Sequence, residues 1–192
     1  MRKVIVTEYV SLDGVMEDPG GAEKSRYGGW SFQFWKEEAA KYKFDELFAS
    51  GALLLGRKTY EGFAKAWPSV KDEYGFADRM NSIPKYVVSK TLEKAEWKNS
   101  TVIKGNVAEE VSKLKQQPGQ DILVAGSGEL VRTLMQHDLV DEYRLMVHPV
   151  VLCGGKRLFQ DGTARKLLKL KDTRTFATGI VVLTYRSAET GK

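Results

Sequence analysis

Leu53-Leu54-Leu55-Gly56-Arg57-Lys58-Thr59-Tyr60-Glu61-Gly62-Phe63 joins three signals in eleven positions. Its leucines run on without alternation, the pattern of a strand covered on both faces, as in parallel sheets. Gly56 ends that strand, and residues 57–65 restart as a helix. The order recurs in Ile122-Leu123-Val124-Ala125-Gly126-Ser127-Gly128-Glu129-Leu130-Val131. Two strand–glycine–helix units in one chain imply crossover connections and an α/β fold with a mainly parallel sheet. Each unit also begins a helix whose first N–H groups and positive dipole end suit phosphate. Arg57 adds a forked donor and Thr59 a hydroxyl. The first unit reads equally as a strand–helix turn with Arg57 and Lys58 in solvent. The second keeps only two glycines of the dinucleotide fingerprint, since Val131 stands where the third belongs.

Working outward, residues 3–11 are β-branched and enter a turn at Asp13-Gly14, as a first strand does. Residues 16–31 carry Asp18-Pro19-Gly20-Gly21 and Gly28-Gly29, a long loop of the kind that is often functional. Phe32, Trp35, Ala39, Tyr42 and Phe48 fall near helical spacing. They predict a helix over 32–49 with Ser31 as its cap and Gly51 beyond its end. Residues 84–90 and 101–105 predict further strands, and Val107, Val111 and Leu114 a helix stopped by Pro118-Gly119. The last quarter changes to successive strands, at 142–151, at 179–186 and over 167–176. The predicted fold is a single domain over 1–187. It has a mainly parallel central sheet, antiparallel C-terminal strands and flanking helices, and 188–192 form a frayed tail.

Composition narrows the function. The chain of 192 residues is 42% hydrophobic and 29% charged, as soluble globular proteins are. Its charge of +5 is scattered rather than gathered in the basic face that nucleic-acid binders show, so no nucleic-acid partner is expected. No apolar run approaches a membrane span, and the N-terminus turns polar too soon for a signal peptide, so a cytoplasmic protein is expected. The lone Cys153 makes no internal disulfide, and neither it nor His137 or His148 belongs to a metal-ligand pattern. His148, before Pro149 in an apolar strand, reads as structural.

Two weaker signals complete the picture. Ser89-Lys90 closes a strand with a hydroxyl and a cation, groups that suit a 2′-phosphate. Asp13, at the end of the first strand, lines a cleft in one reading and is Asp-Gly turn chemistry in the other.

Taken in order, Ser11-Leu12-Asp13-Gly14, Leu55-Gly56-Arg57-Lys58-Thr59-Tyr60, Gly126-Ser127-Gly128 and residues 139–159 resemble the dihydrofolate reductase-like family. The resemblance covers nearly the whole chain. Asp141-Glu142-Tyr143-Arg144-Leu145 with Pro149-Val150-Val151-Leu152-Cys153-Gly154-Gly155-Lys156-Arg157-Leu158-Phe159 brings it nearest the reductase domain of the bacterial riboflavin-biosynthesis deaminase–reductase. It implies an NADPH-dependent reductase of a small polar substrate, commonly a homodimer. It places Gly56, Arg57 and Thr59 near the cofactor phosphates, Ser89 and Lys90 on the adenosine side, and Gly126, Ser127, Gly128, Glu129 and Leu130 around the pyrophosphate. The loop from Leu12 to Trp30 would cover the nicotinamide. Asp13, with a pKa raised once that loop excludes water, or else a bound water, would donate the proton. The alternative is a binding protein that keeps the fold without the chemistry. The chain departs from the family at Ser127, where a second glycine is usual, and no deaminase half is expected in its 192 residues. The acid that the family carries on its first helix has four candidates, Glu37, Glu38, Asp45 and Glu46.

Overall fold

The protein is described by a computed structural model covering residues 1–162 and 165–188. Its strands are β1 (Val4–Ser11), β2 (Ser50–Gly56), β3 (Lys85–Val88), β4 (Ser100–Ile103), β5 (Asp121–Ala125), β6 (Glu142–His148), β7 (Leu168–Thr175) and β8 (Val181–Ser187). Its helices are α1 (Glu37–Phe48), α2 (Arg57–Ala66), α3 (Phe76–Ser82), α4 (Val107–Gln116) and α5 (Gly128–Gln136). Among the described residues the strands form one sheet in the order β4-β3-β2-β5-β1-β6-β8-β7. The pairs from β4 to β6 are parallel, and β8 is antiparallel to both β6 and β7. This is the predicted mixed sheet, with the antiparallel strands at one side.

The leucine run of β2 is buried as its pattern demands, and alternate residues feed opposite layers. Leu54 packs with Val4, Val6 and Val124 under α4 and α5, against Val111, Leu114, Leu130, Val131 and Leu134. Leu53 and Leu55 pack with Ile5 and Leu123 on the other face, against Leu47 of α1, Tyr60 of α2 and Met80 of α3. Helices thus cover both faces, which is why β2 tolerates no polar alternation.

Several boundaries differ from the sequence reading. The predicted helix over 32–49 is broken. A single 3-10 turn at Phe32–Phe34 ends in an extended Trp35, and α1 begins only at Glu37. Ser31 does not cap it, because its hydroxyl donates to the Pro19 carbonyl at 2.7 Å and serves the loop instead. Gly51 lies inside β2, at a register shift between Ser50 and Ala52. A Cβ there would meet the Gln120 carbonyl at 2.9 Å, so close strand approach explains this glycine. The strand predicted over 142–151 stops at His148, ahead of Pro149. Helix α3 answers to no motif in the sequence reading. At the C-terminus the Ala188 N–H donates to Leu167, so this residue is held, and 189–192 of the expected frayed tail lie outside the described residues.

The connections fix where a ligand belongs. From β1 the chain crosses through α1 to β2, on one side, while from β5 it crosses through α5 to β6, on the other. β1 and β5 are neighbours, so their connections part at their carboxyl ends. That is a topological switch point, and in open α/β sheets ligands bind in the crevice it leaves.

Candidate functional site

Both strand–glycine–helix units end at this crevice. Gly126 has φ 64° and turns the chain out of β5. Ser127 follows at φ 68°, ψ 59°, a left-handed conformation that a side chain seldom adopts. Its hydroxyl accepts the Gly56 N–H at 2.8 Å and lies 2.7 Å from Thr59 Oγ1. The two turns are therefore clamped together. A Cβ at Gly56 would stand 2.7 Å from Ser127 Oγ, and one at Gly126 2.9 Å from Thr59 Oγ1, so glycine is required at both. Neither α2 nor α5 has a side-chain cap. By contrast Asn106 caps α4, and the Asp72 carboxylate takes the N–H groups of Phe76 and Ala77 at the start of α3. Two helix starts on adjacent strands thus keep N–H donors and positive dipole ends for an anion.

Beside them, Arg57 Nε donates to Glu61 at 2.7 Å and its Nη1 donates to Thr91 Oγ1 at 2.6 Å. This ties α2 to the turn after β3. In that turn Ser89 is buried and its hydroxyl accepts the N–H groups of Thr91 and Leu92, so it shapes the turn, while Lys90 is exposed. Glu129 is exposed and paired with Arg132, and Leu130 is a core residue, so only their backbones face the α5 start. Gly56, Arg57, Thr59, Ser89, Lys90 and residues 126–130 therefore line up along three adjacent strand ends, β3, β2 and β5.

Asp13 stands apart from this row. Its carboxylate accepts Ser11 Oγ at 2.7 Å, the Leu152 N–H at 3.1 Å and the Cys153 N–H at 3.0 Å, and its carbonyl takes Arg157 Nε. The Ser11 hydroxyl, with the two backbone donors, holds its pKa below the usual carboxylate value. The expected raised pKa is corrected: the Ser11 hydroxyl and the backbone donors together outweigh burial at this carboxyl. Asp13 pins the segment after β6 to the start of the loop after β1. That loop is itself knitted around Asp18, whose carboxylate accepts the N–H groups of Glu23 and Ser25.

Two buried polar groups escaped the sequence reading as site residues, and a third was one of its four α1 candidates. Glu8 of β1 is buried, its Oε1 has no partner among the described residues, and burial pushes its pKa up to about 8. The signal was present: in Val4, Val6, Glu8, Val10 one acid interrupts an inward apolar row. His148 is fully buried, with Nδ1 2.9 Å from the Met146 carbonyl and the rings of Tyr9, Trp30 and Phe34 around it. Burial lowers its pKa, so it is neutral. Of the four α1 acids, Glu46 is the buried one. It accepts Thr7 Oγ1 at 2.9 Å and pairs with Lys43 and Arg144. Ala39, Lys43 and Glu46 share a helical stripe, which is the signal for its burial. Among the described residues no group of three or more His, Cys, Asp or Glu is placed to hold a metal, and no helix is long and apolar enough to cross a membrane.

A doubly covered sheet whose connections part between β1 and β5 defines an α/β protein of dihydrofolate reductase-like layout. Within that class the chain belongs to the family described as RibD C-terminal domain, which it matches over residues 2–182. It is 35% identical over 188 residues to the uncharacterized protein YyaP of Bacillus subtilis (strain 168), covering 96% of this chain and 94% of that one. Its fold is similar to the crystal structure named "Putative riboflavin biosynthesis protein" from Shewanella sp. PV-4, with TM-score 0.76, 21% identity and coverage of 97% and 99%. It is also similar to dihydrofolate reductase from Enterococcus faecalis complexed with NADP(H), with TM-score 0.60, 14% identity and 97% of both chains covered. Membership of that family supports a reductase-like function.

Proposed function

We propose that this protein is an NADPH-dependent reductase that transfers hydride to an electrophilic carbon of a small, polar, heterocyclic substrate. The observation that carries the reading is the pair of uncapped helix starts, α2 and α5, on neighbouring strands and clamped by the Ser127 hydroxyl. Two such starts suit a diphosphate better than a single anion, because each supplies its own N–H donors. The residues fit the group: side chains are excluded at Gly56 and Gly126, and no cap competes for the N–H groups.

In this reading Gly56, Thr59 and residues 126–130 hold the diphosphate, and Arg57, Ser89 and Lys90 lie toward the adenosine and its 2′-phosphate. NADPH, when bound, supplies the hydride. The chain's part is to position the ring in the crevice and to exclude water with the loop after β1. With Asp13 held ionised, water is the proton donor and Asp13 is a structural anchor. A homodimer is part of the proposal, formed through the antiparallel side of the sheet, where β7 is exposed along nearly its whole length.

The test is NADPH oxidation against a panel of pteridines and ribosylamino-pyrimidines, with NADPH binding measured in parallel. Turnover of one panel member supports the reductase. Binding with no turnover leaves the non-catalytic alternative, and absence of binding overturns both.

A further inference from the structure

We propose that Glu8 is a ligand-contacting residue of the same crevice, its carboxyl hydrogen-bonding a carbonyl oxygen on the ring that lies between β1 and β5. This rests on the cofactor reading above, in which that carbonyl is the nicotinamide carboxamide.

The placement comes from the ladder. β1 and β5 pair as far as Thr7 with Ala125, and Gly126 then turns away. Glu8 is the next residue on β1, at the point where the strands part. The backbone of Gly126, next in the register, is near enough to this carboxyl to favour its charged form, though burial outweighs it. Its Oε1 is buried and has no partner among the described residues. A buried polar atom without a partner costs free energy, so its retention asks for a reason.

The surroundings decide which ligand atom it fits. The charged groups acting on Glu8 are Lys43 and Glu46 of α1. Lys43 is already engaged by Glu46 and Thr7. Glu129 of α5 is paired with Arg132, and across the β6 ladder stands the apolar Leu145. Among the described residues no cation is left to hold a carboxylate there, and burial outweighs Lys43, so the group is a neutral acid at pH 7. A neutral carboxyl has an O–H to donate. Its missing partner is therefore an acceptor, such as a carbonyl. Neutrality also matters to the neighbouring turn, since a carboxylate beside Gly126 would repel a diphosphate.

Access runs past Met16. A Cβ on Gly128 would stand 2.9 Å from Met16 Sδ, so this flexible side chain, carried by the loop after β1, covers the α5 start. A ring reaches Glu8 by displacing it.

The experiment measures NADPH affinity from pH 6 to pH 10 for the wild type, Glu8→Gln and Glu8→Ala, with folding checked by circular dichroism. Only the protonated form is competent, so wild-type affinity falls about tenfold between pH 7 and pH 9. Glu8→Gln retains an N–H donor and no titrating group, and its affinity is flat over the same range. Glu8→Ala binds more weakly at pH 7 and is also flat. The 2′-phosphate of ADP-ribose, which lacks the ring, shows no difference between wild type and Glu8→Ala at pH 7. A Glu8→Gln variant that keeps the alkaline loss overturns the proposal while the cofactor reading stands. So does a ring-less ligand that is as sensitive to Glu8→Ala as NADPH. If NADPH binds the wild type at no pH, the cofactor reading fails, and this inference with it.

Discussion

Glu8 and Asp13 sit close together in sequence, one inside β1 and the other just past its end, and they meet opposite fates. Asp13 has donors on both oxygens and is only partly buried, so its carboxylate is held ionised. Glu8 is buried, with one carboxyl oxygen unpartnered among the described residues, so it is held as an acid. Asp13 looked the more chemical of the two because it lies beside a glycine-rich loop. The comparison teaches that position at a strand end does not raise a carboxyl's pKa. Desolvation does, and desolvation is a property of packing.

The contrast between crevice and corner yields four measurements. The largest effect belongs to the crevice. Gly128→Val drives a branched side chain into the space of Met16, whose flexible end gives way, so the protein folds while NADPH binding drops below detection. Retained binding would reduce the turn to a strand–helix connector. Next, Arg57→Ala weakens NADPH by about 1.5–3 kcal/mol, the range for a hydrogen bond to a charged group, and weakens NADH less. Equal wild-type affinities for the two cofactors would remove the 2′-phosphate site.

The third measurement sets the two acids against each other by thermal melts across pH. Glu8 has a folded pKa of about 8 against an ordinary value of 4.5. Between those values the folded protein holds a proton that the unfolded chain has released, so stability falls as pH rises through that window. Wild type therefore loses melting temperature relative to Glu8→Gln from about pH 5 to about pH 8. Asp13 has the opposite sign. Its lowered pKa contributes stability above the unfolded value of 3.8 that is lost as pH falls through the folded one. Wild type exceeds Asp13→Asn at pH 7, and the gap closes in acid. Parallel slopes for the two variants would erase the distinction. The smallest effect is on chemistry: Asp13→Asn keeps turnover well short of the roughly 10²–10⁴-fold loss that removing a general acid brings. A loss of that size would return Asp13 to the role of donor.

The leucine run of β2 and the two glycine turns were legible because each is local. Burial on both faces leaves an unbroken apolar string, and a tight turn leaves a glycine. The break ahead of α1 was not legible. Phe32 and Trp35 sit at helical spacing with Ala39, yet the loop captures Ser31 through Pro19 and holds the first turn apart. Nor was the site complete. The clamp between Gly56 and Ser127 joins residues far apart in sequence, and no spacing rule reports it. Glu8 was visible as an oddity in a strand, but its meaning needed the order of β5 beside β1.

Ser127 carries a last consequence. A serine held in a left-handed conformation stores backbone strain that a glycine would relieve. The hydroxyl is what keeps it there, through Gly56 and Thr59. Folding has therefore already frozen the two turns relative to each other, and an arriving ligand does not have to order them. Exchanging Ser127 for glycine would relax the chain and return that entropy cost to the binding step, so the less comfortable residue makes the better receptor.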